Sequence, residues 1–143
     1  MRTIVLLLLT IQFTYAQKSD FNLQKGYVAE GYDLVAYFEQ NPKKGNSKYA
    51  AEYKGLAFKF SSIQNLENFN ANPEQYLPQY GGWCAYAMAT EGIKVKIDPK
   101  TFEIRDGKLY LFYNAFFSNT LESWLEEGPE DLIRKANQNW NKI

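Results

Sequence analysis

The sequence predicts a small α+β domain: two antiparallel β-hairpins covered by several short helices. Three observations predict it. Two stretches alternate apolar and polar residues about tight turns, at Lys54-Gly55 and at Asp106-Gly107. Around them run short segments with apolar residues three or four apart, opened by Ser or Asn and closed by Gly or Pro. Aromatic residues make up 17% of 143 residues, and such side chains supply most of the apolar area that a single core needs.

At the start of the chain, Met1-Arg2 precedes an apolar run from Ile4 to Phe13 and then Thr14-Tyr15-Ala16. This is the three-part pattern of a secretory signal cleaved after Ala16. The run is too short to span a bilayer core of ~30 Å as a helix. No cysteine lies near the cut to carry a lipid. Residues 1–16 are therefore expected to be a signal peptide, 17–25 a flexible polar leader, and 26–143 one monomeric domain. The expected location is periplasmic or secreted, with no membrane span after cleavage.

In "YAAEYKGLAFKF", Tyr49, Ala51 and Tyr53 are answered across Lys54-Gly55 by Leu56, Phe58 and Phe60, the period-2 signature of a hairpin. Ser61 or Ser62 then caps a helix carrying Ile63, Leu66 and Phe69, and Asn72 caps a second, short one with Pro73 at its first position. Pro78 ends it and Gly81-Gly82 turns the chain. A further short helix is expected from Trp83. The second hairpin is written in "KTFEIRDGKLYLFY", where Phe102, Ile104, Leu109, Leu111 and Tyr113 alternate about Asp106-Gly107, a dipeptide preferred in type I′ turns. The two hairpins are expected to share one sheet. Asn114 is placed to cap a helix bearing Phe117, Leu121, Trp124 and Leu125. Gly128 closes that helix, and Pro129 opens a last one with Leu132, Ile133, Ala136 and Trp140 on one stripe.

Composition excludes several functions. The chain has no histidine, which removes Ser-His-Asp and Cys-His nucleophile pairs and imidazole-based zinc sites. Positive and negative charges number 16 each, and losing Arg2 with the signal leaves a net −1. With no basic stripe, counterion release has no source, so neither nucleic acid nor an anionic membrane is an expected partner. One cysteine cannot form an internal disulfide, so its thiol must be buried, metal-bound or paired with another molecule.

The segments "GYDLVAYFE", "YKGLAFKFSS", "ENFNANPEQYLPQYGGWCAYAMA" and "DGKLYLFYN", in this order and spacing, resemble the YHS-domain proteins, small and often exported bacterial domains. Related YHS and TRASH-type modules are thought to hold a soft or transition metal through cysteines. The resemblance puts those sulfur positions at Ala36, Ser61 and Asn65 here, none of which is a soft ligand. That metal site does not carry over.

What remains is Cys84. If a helix begins at Trp83, Cys84 and Met88 stand at i and i+4 on one face, and a thiolate with a thioether suits Cu(I). A helix N-terminus after Gly81-Gly82 would stabilise the thiolate. Equally, free cysteine is among the most buried residue types, and its neighbours here are apolar. Asp33, Tyr37, Tyr80, Gly81, Gly82 and Tyr86 are the candidates for a pocket beside the thiol. For Asp33 the alternative is a turn or cap acceptor, and for the tyrosines it is core with one wet end.

Three functions follow as expectations. The first is an exported, non-enzymatic binding domain holding a copper or other transition-metal ion, or a small ligand, through Cys84 and Met88. The second is a thiol-dependent redox or covalent enzyme using Cys84. The third is a structural module that binds an exported partner protein and keeps an inert core cysteine.

Overall fold

The computed structural model describes residues 20–143. The expected signal peptide, residues 1–16, lies outside the described residues. The α+β expectation is met. Alternation about Lys54-Gly55 gives strands β3 (Asn46–Tyr53) and β4 (Leu56–Phe60), paired antiparallel with Tyr53 opposite Leu56 and Ala51 opposite Phe58. Both turn residues have positive φ, as a type I′ turn requires. Asp106-Gly107 joins β5 (Asp98–Arg105) to β6 (Lys108–Phe112) in the same way.

The hairpins do not share a sheet. The first is extended by β1 (Leu23–Gln24) and β2 (Tyr27–Val28) into a four-stranded sheet of order β1-β2-β4-β3, in which β2 runs parallel to β4. The second stands alone. Along its β6 edge runs the segment Pro78–Cys84, touching it at Pro78 opposite Leu109 and Cys84 opposite Leu111.

The part of the expected leader that is described is built into the fold. Asn22 is buried, its N–H donates to the Gly81 carbonyl (2.8 Å), and its side-chain amide donates to Gly82 (3.2 Å). Trp83 Nε1 holds the Asp20 carbonyl at 2.8 Å. Polarity had suggested a loose segment, but the polar groups here satisfy backbone groups of a distant turn.

Among the described residues six α-helices cover the strands. They are α1 (Leu34–Phe38), α2 (Ile63–Ala71), α3 (Pro73–Tyr76), α4 (Ala85–Thr90), α5 (Thr120–Glu127) and α6 (Pro129–Trp140). Ser62 caps α2 by accepting from Asn65 N–H, and Gly128 separates α5 from α6 at φ 100°. The expected helix from Asn114 is corrected. Asn114–Ala115 (β7) pairs with Ser118–Asn119 (β8) in a small hairpin, and Asn119 is the cap of α5, accepting from Leu121 N–H. Phe117, assigned to the apolar stripe of that helix, lies in solvent instead.

Strand β6 decides the core. Leu109 and Leu111 enter a cluster with Val28, Leu34, Phe58 and Phe69, whereas Tyr110 and Phe112 enter a second cluster with Trp124, Leu132 and Ala136. A strand with period 2 buried on both faces thus walls two cores apart. Among the described residues no helix is long and apolar enough to cross a membrane.

Candidate functional site

Cys84 caps the N-terminus of α4 and does not lie in its first turn, because Ala85 is the first helical residue. Its backbone is tied on both sides, with its N–H donating to Val95 O (2.9 Å) and its carbonyl accepting from Met88 N–H (3.0 Å). The side chain is fully buried. Tyr113 N–H donates to Sγ at 3.4 Å, and Thr120 Oγ1 lies 3.3 Å away. The single Thr120 hydroxyl proton goes to the Tyr113 carbonyl at 2.8 Å, so the thiol donates to Thr120 and the ring Tyr113, Cys84, Thr120 closes on itself.

Met88 keeps the expected spacing but packs in the other core, with Phe112 and Trp124, while Cys84 packs with Leu111. The wall formed by β6 separates the cores that the two sulfurs serve. The burial of Cys84 is what the core reading expects. In native protein the thiol is expected to resist iodoacetamide and to react fully once urea unfolds the chain. Stoichiometric labelling of native protein within minutes, followed by mass spectrometry, would contradict this.

Asp33 is also fully buried, and it is a hub. Its Oδ1 accepts from the N–H groups of Val35 (2.9 Å) and Ala36 (3.2 Å), capping α1. Its Oδ2 accepts from Ser61 N–H (2.8 Å), Ser61 Oγ (2.6 Å) and Asn65 Nδ2 (2.8 Å). The cap reading proposed for Asp33 is therefore right, and incomplete. Ala36, Ser61 and Asn65, the positions that the resemblance sets against the sulfurs of metal-holding modules, all donate to this one carboxylate. A network of oxygen and nitrogen, with both carboxylate oxygens engaged, stands where those modules gather thiolates.

The three tyrosines expected around the thiol go to different places. Tyr37 is buried with its hydroxyl donating to Pro99 O (2.5 Å), and desolvation drives its pKa far above the ordinary phenol value. Tyr86 donates to Glu127 Oε1 (2.6 Å), and that hydrogen bond raises its pKa. Tyr80 donates to Asn137 Oδ1 (3.0 Å), and burial raises its pKa.

Of the six pocket candidates, Tyr80 and Gly81 do line a cavity, one of about 460 Å³. It lies between the turn Gln79–Gly81, the Phe21 side chain and the end of α6, with Trp140 and Asn137 on its wall. A smaller cavity of about 230 Å³ shares Phe21, Glu74, Leu77 and Trp140 with it. Tyr80, Gly81 and Gly82 occupy left-handed backbone in succession, at φ 55°, 60° and 80°. Glycine enters that region freely, so the strain falls on Tyr80 alone, and strain at a single non-glycine residue is common where a fold positions groups for binding. Glu74 at the rim accepts from Tyr53 Oη (2.7 Å) and pairs with Lys54, and the Lys54 contact chiefly holds its carboxyl below the usual range.

Sequence reasoning missed the residues from the arm and from α6. Trp140 reads as part of a helix stripe, Asn137 carries no signal of its own, and nothing local reveals that Phe21, more than fifty residues before Tyr80, folds back beside them.

In comparisons with known proteins, a family model described as the YHS domain matches residues 36–80. No curated protein and no solved structure matches the chain. The YHS domain is associated with metal binding in general. The residues present do not fit a soft metal: the positions around Asp33 carry no sulfur, the Cys84 thiol is engaged in its ring, and Met88 faces another core. Among the described residues no three His, Cys, Asp or Glu side chains come together in a group that could hold an ion.

Proposed function

We propose that this YHS-domain chain is an exported, non-enzymatic binding domain whose ligand site is the cleft between the Gln79–Gly81 turn and the end of α6. The three-part pattern of residues 1–16 supports export. One observation carries the binding reading: a cavity of about 460 Å³ is lined by Tyr80 and Gly81, two consecutive residues in left-handed backbone. That volume falls in the range of ~300–1,000 Å³ in which small-molecule sites lie.

The lining supports one ligand class. Phe21, Leu77, Pro78 and Trp140 offer apolar and aromatic faces, and Gln79, Asn137 and Asn141 offer amides. A small neutral compound with one flat face and a hydrogen-bonding edge matches that mixture. Binding is favoured over catalysis because, among the described residues, the cleft is lined by no cysteine or lysine, and the one acid among them, Glu74, is already paired. Copper binding through Cys84 and Met88, and thiol catalysis, both need a reachable sulfur, and Cys84 is fully buried.

The test is to screen monosaccharides, nucleosides and lactones by tryptophan fluorescence and by chemical-shift perturbation. A binder is expected to perturb Tyr80, Asn137 and Trp140, and Trp140→Ala to weaken it by about tenfold or more, the scale of one lost aromatic contact. Shifts confined to other residues would overturn the assignment. An anaerobic Cu(I) titration of wild type, Cys84→Ser and Met88→Ala is expected to give equal affinities.

A further inference from the structure

The hairpin β7–β8 carries a feature that the cleft does not use. Ala115 pairs with Ser118, which leaves Phe116-Phe117 as its two-residue turn. Both have positive φ, 51° and 66°. A turn of this kind favours Asn-Gly, since only small or Asx-like residues enter left-handed backbone at little cost. Here two bulky aromatics take it. Phe116 is 88% exposed and Phe117 fully so, and among the described residues no packing contact covers either ring enough to offset the strain.

We propose that the Phe116-Phe117 tip inserts into the interface of an uncharged lipid bilayer and holds the domain against a membrane surface. Size favours lipid over a protein partner. Two aromatic rings bury roughly 300–500 Å², whereas a specific protein interface needs about 1,000 Å² or more. A bilayer interface asks for no such complementary area, only an apolar wedge free of charge. The tip meets that requirement, because Asn114 to Thr120 contains no acidic or basic residue. With no lysine or arginine on the wedge, binding owes nothing to anionic headgroups.

The experiment compares full-length wild type with the double variant Phe116→Asn/Phe117→Gly by co-sedimentation with phosphatidylcholine vesicles, and with vesicles containing anionic phosphatidylglycerol. The rest of the chain, including the apolar run Ile4–Phe13, is common to both proteins, so the difference reads the tip. The variant carries the dipeptide the turn prefers, so its melting temperature is expected to equal or exceed that of wild type. Its vesicle partitioning is expected to fall at least tenfold, by a similar factor on both vesicle types and with little dependence on salt. Equal partitioning of the two proteins overturns the proposal. So does wild type that ignores vesicles but self-associates in a manner the variant does not, which would assign the tip to a protein partner.

Discussion

Asp33→Ala is expected to be the most damaging single substitution in the polar interior. The carboxylate accepts five hydrogen bonds from three segments: the first turn of α1, Ser61 at the end of β4, and Asn65 in α2. Each buried donor left unpaired costs about 1–3 kcal/mol. If two of the five stay dry and unpaired, the loss is about 2–6 kcal/mol, a large share of the ~5–15 kcal/mol by which domains are stable. Asp33→Asn is expected to lose nearly as much, because one of its two terminal atoms becomes a donor facing donors. Urea denaturation of the three proteins measures this. A loss below about 1 kcal/mol for Asp33→Ala would show that the donors find other acceptors and that the hub is dispensable.

Gly81→Ala is the second. Its φ of 60° strains any residue with a Cβ, and a Cβ there would lie 2.5 Å from the Asp20 carbonyl oxygen, backbone that cannot swing aside. Left-handed backbone costs about 1–2 kcal/mol and overpacking adds about 1–3, so a total of about 2–5 kcal/mol is expected. Gly55→Ala is the internal control. It has the same sign of φ at 74° with nothing within 4 Å of the added carbon, so it should cost only the backbone term of about 1–2 kcal/mol. Equal losses would mean that the close approach of the Asp20–Asn22 arm carries no energy. A larger loss at Gly81 would come with displacement of Phe21, and ligand affinity in the cleft is expected to fall with it.

The comparison of sequence and structure separates along the range of the interactions involved. Period-2 alternation about Lys54-Gly55 and Asp106-Gly107 sets the two hairpins because strand faces and turn dihedrals are decided within a dozen residues. Ser62, Gly128 and Pro129 bound their helices for the same reason. The error at Asn114 is instructive. Asn114 and Asn119 are both plausible caps, and the choice fell to Asn119 because residues 114–119 pair with each other, a pairing that two phenylalanines at the turn conceal.

The chain's own text thus determined the α+β class, the hairpin registers beside the turns and most helix ends, together with the absence of histidine that removes much catalytic chemistry; away from the turns both hairpins shift register, so that Asn46 and not Tyr49 lies opposite Phe60. Tertiary structure alone decided that β6 divides two cores and so parts Cys84 from Met88, and that Asp33 gathers Ser61 and Asn65 from 28 and 32 residues away. It also decided that Phe21 and Trp140, from opposite ends of the described chain, face one cleft. Such meetings depend on which buried faces pack together, and no short window of residues encodes that choice.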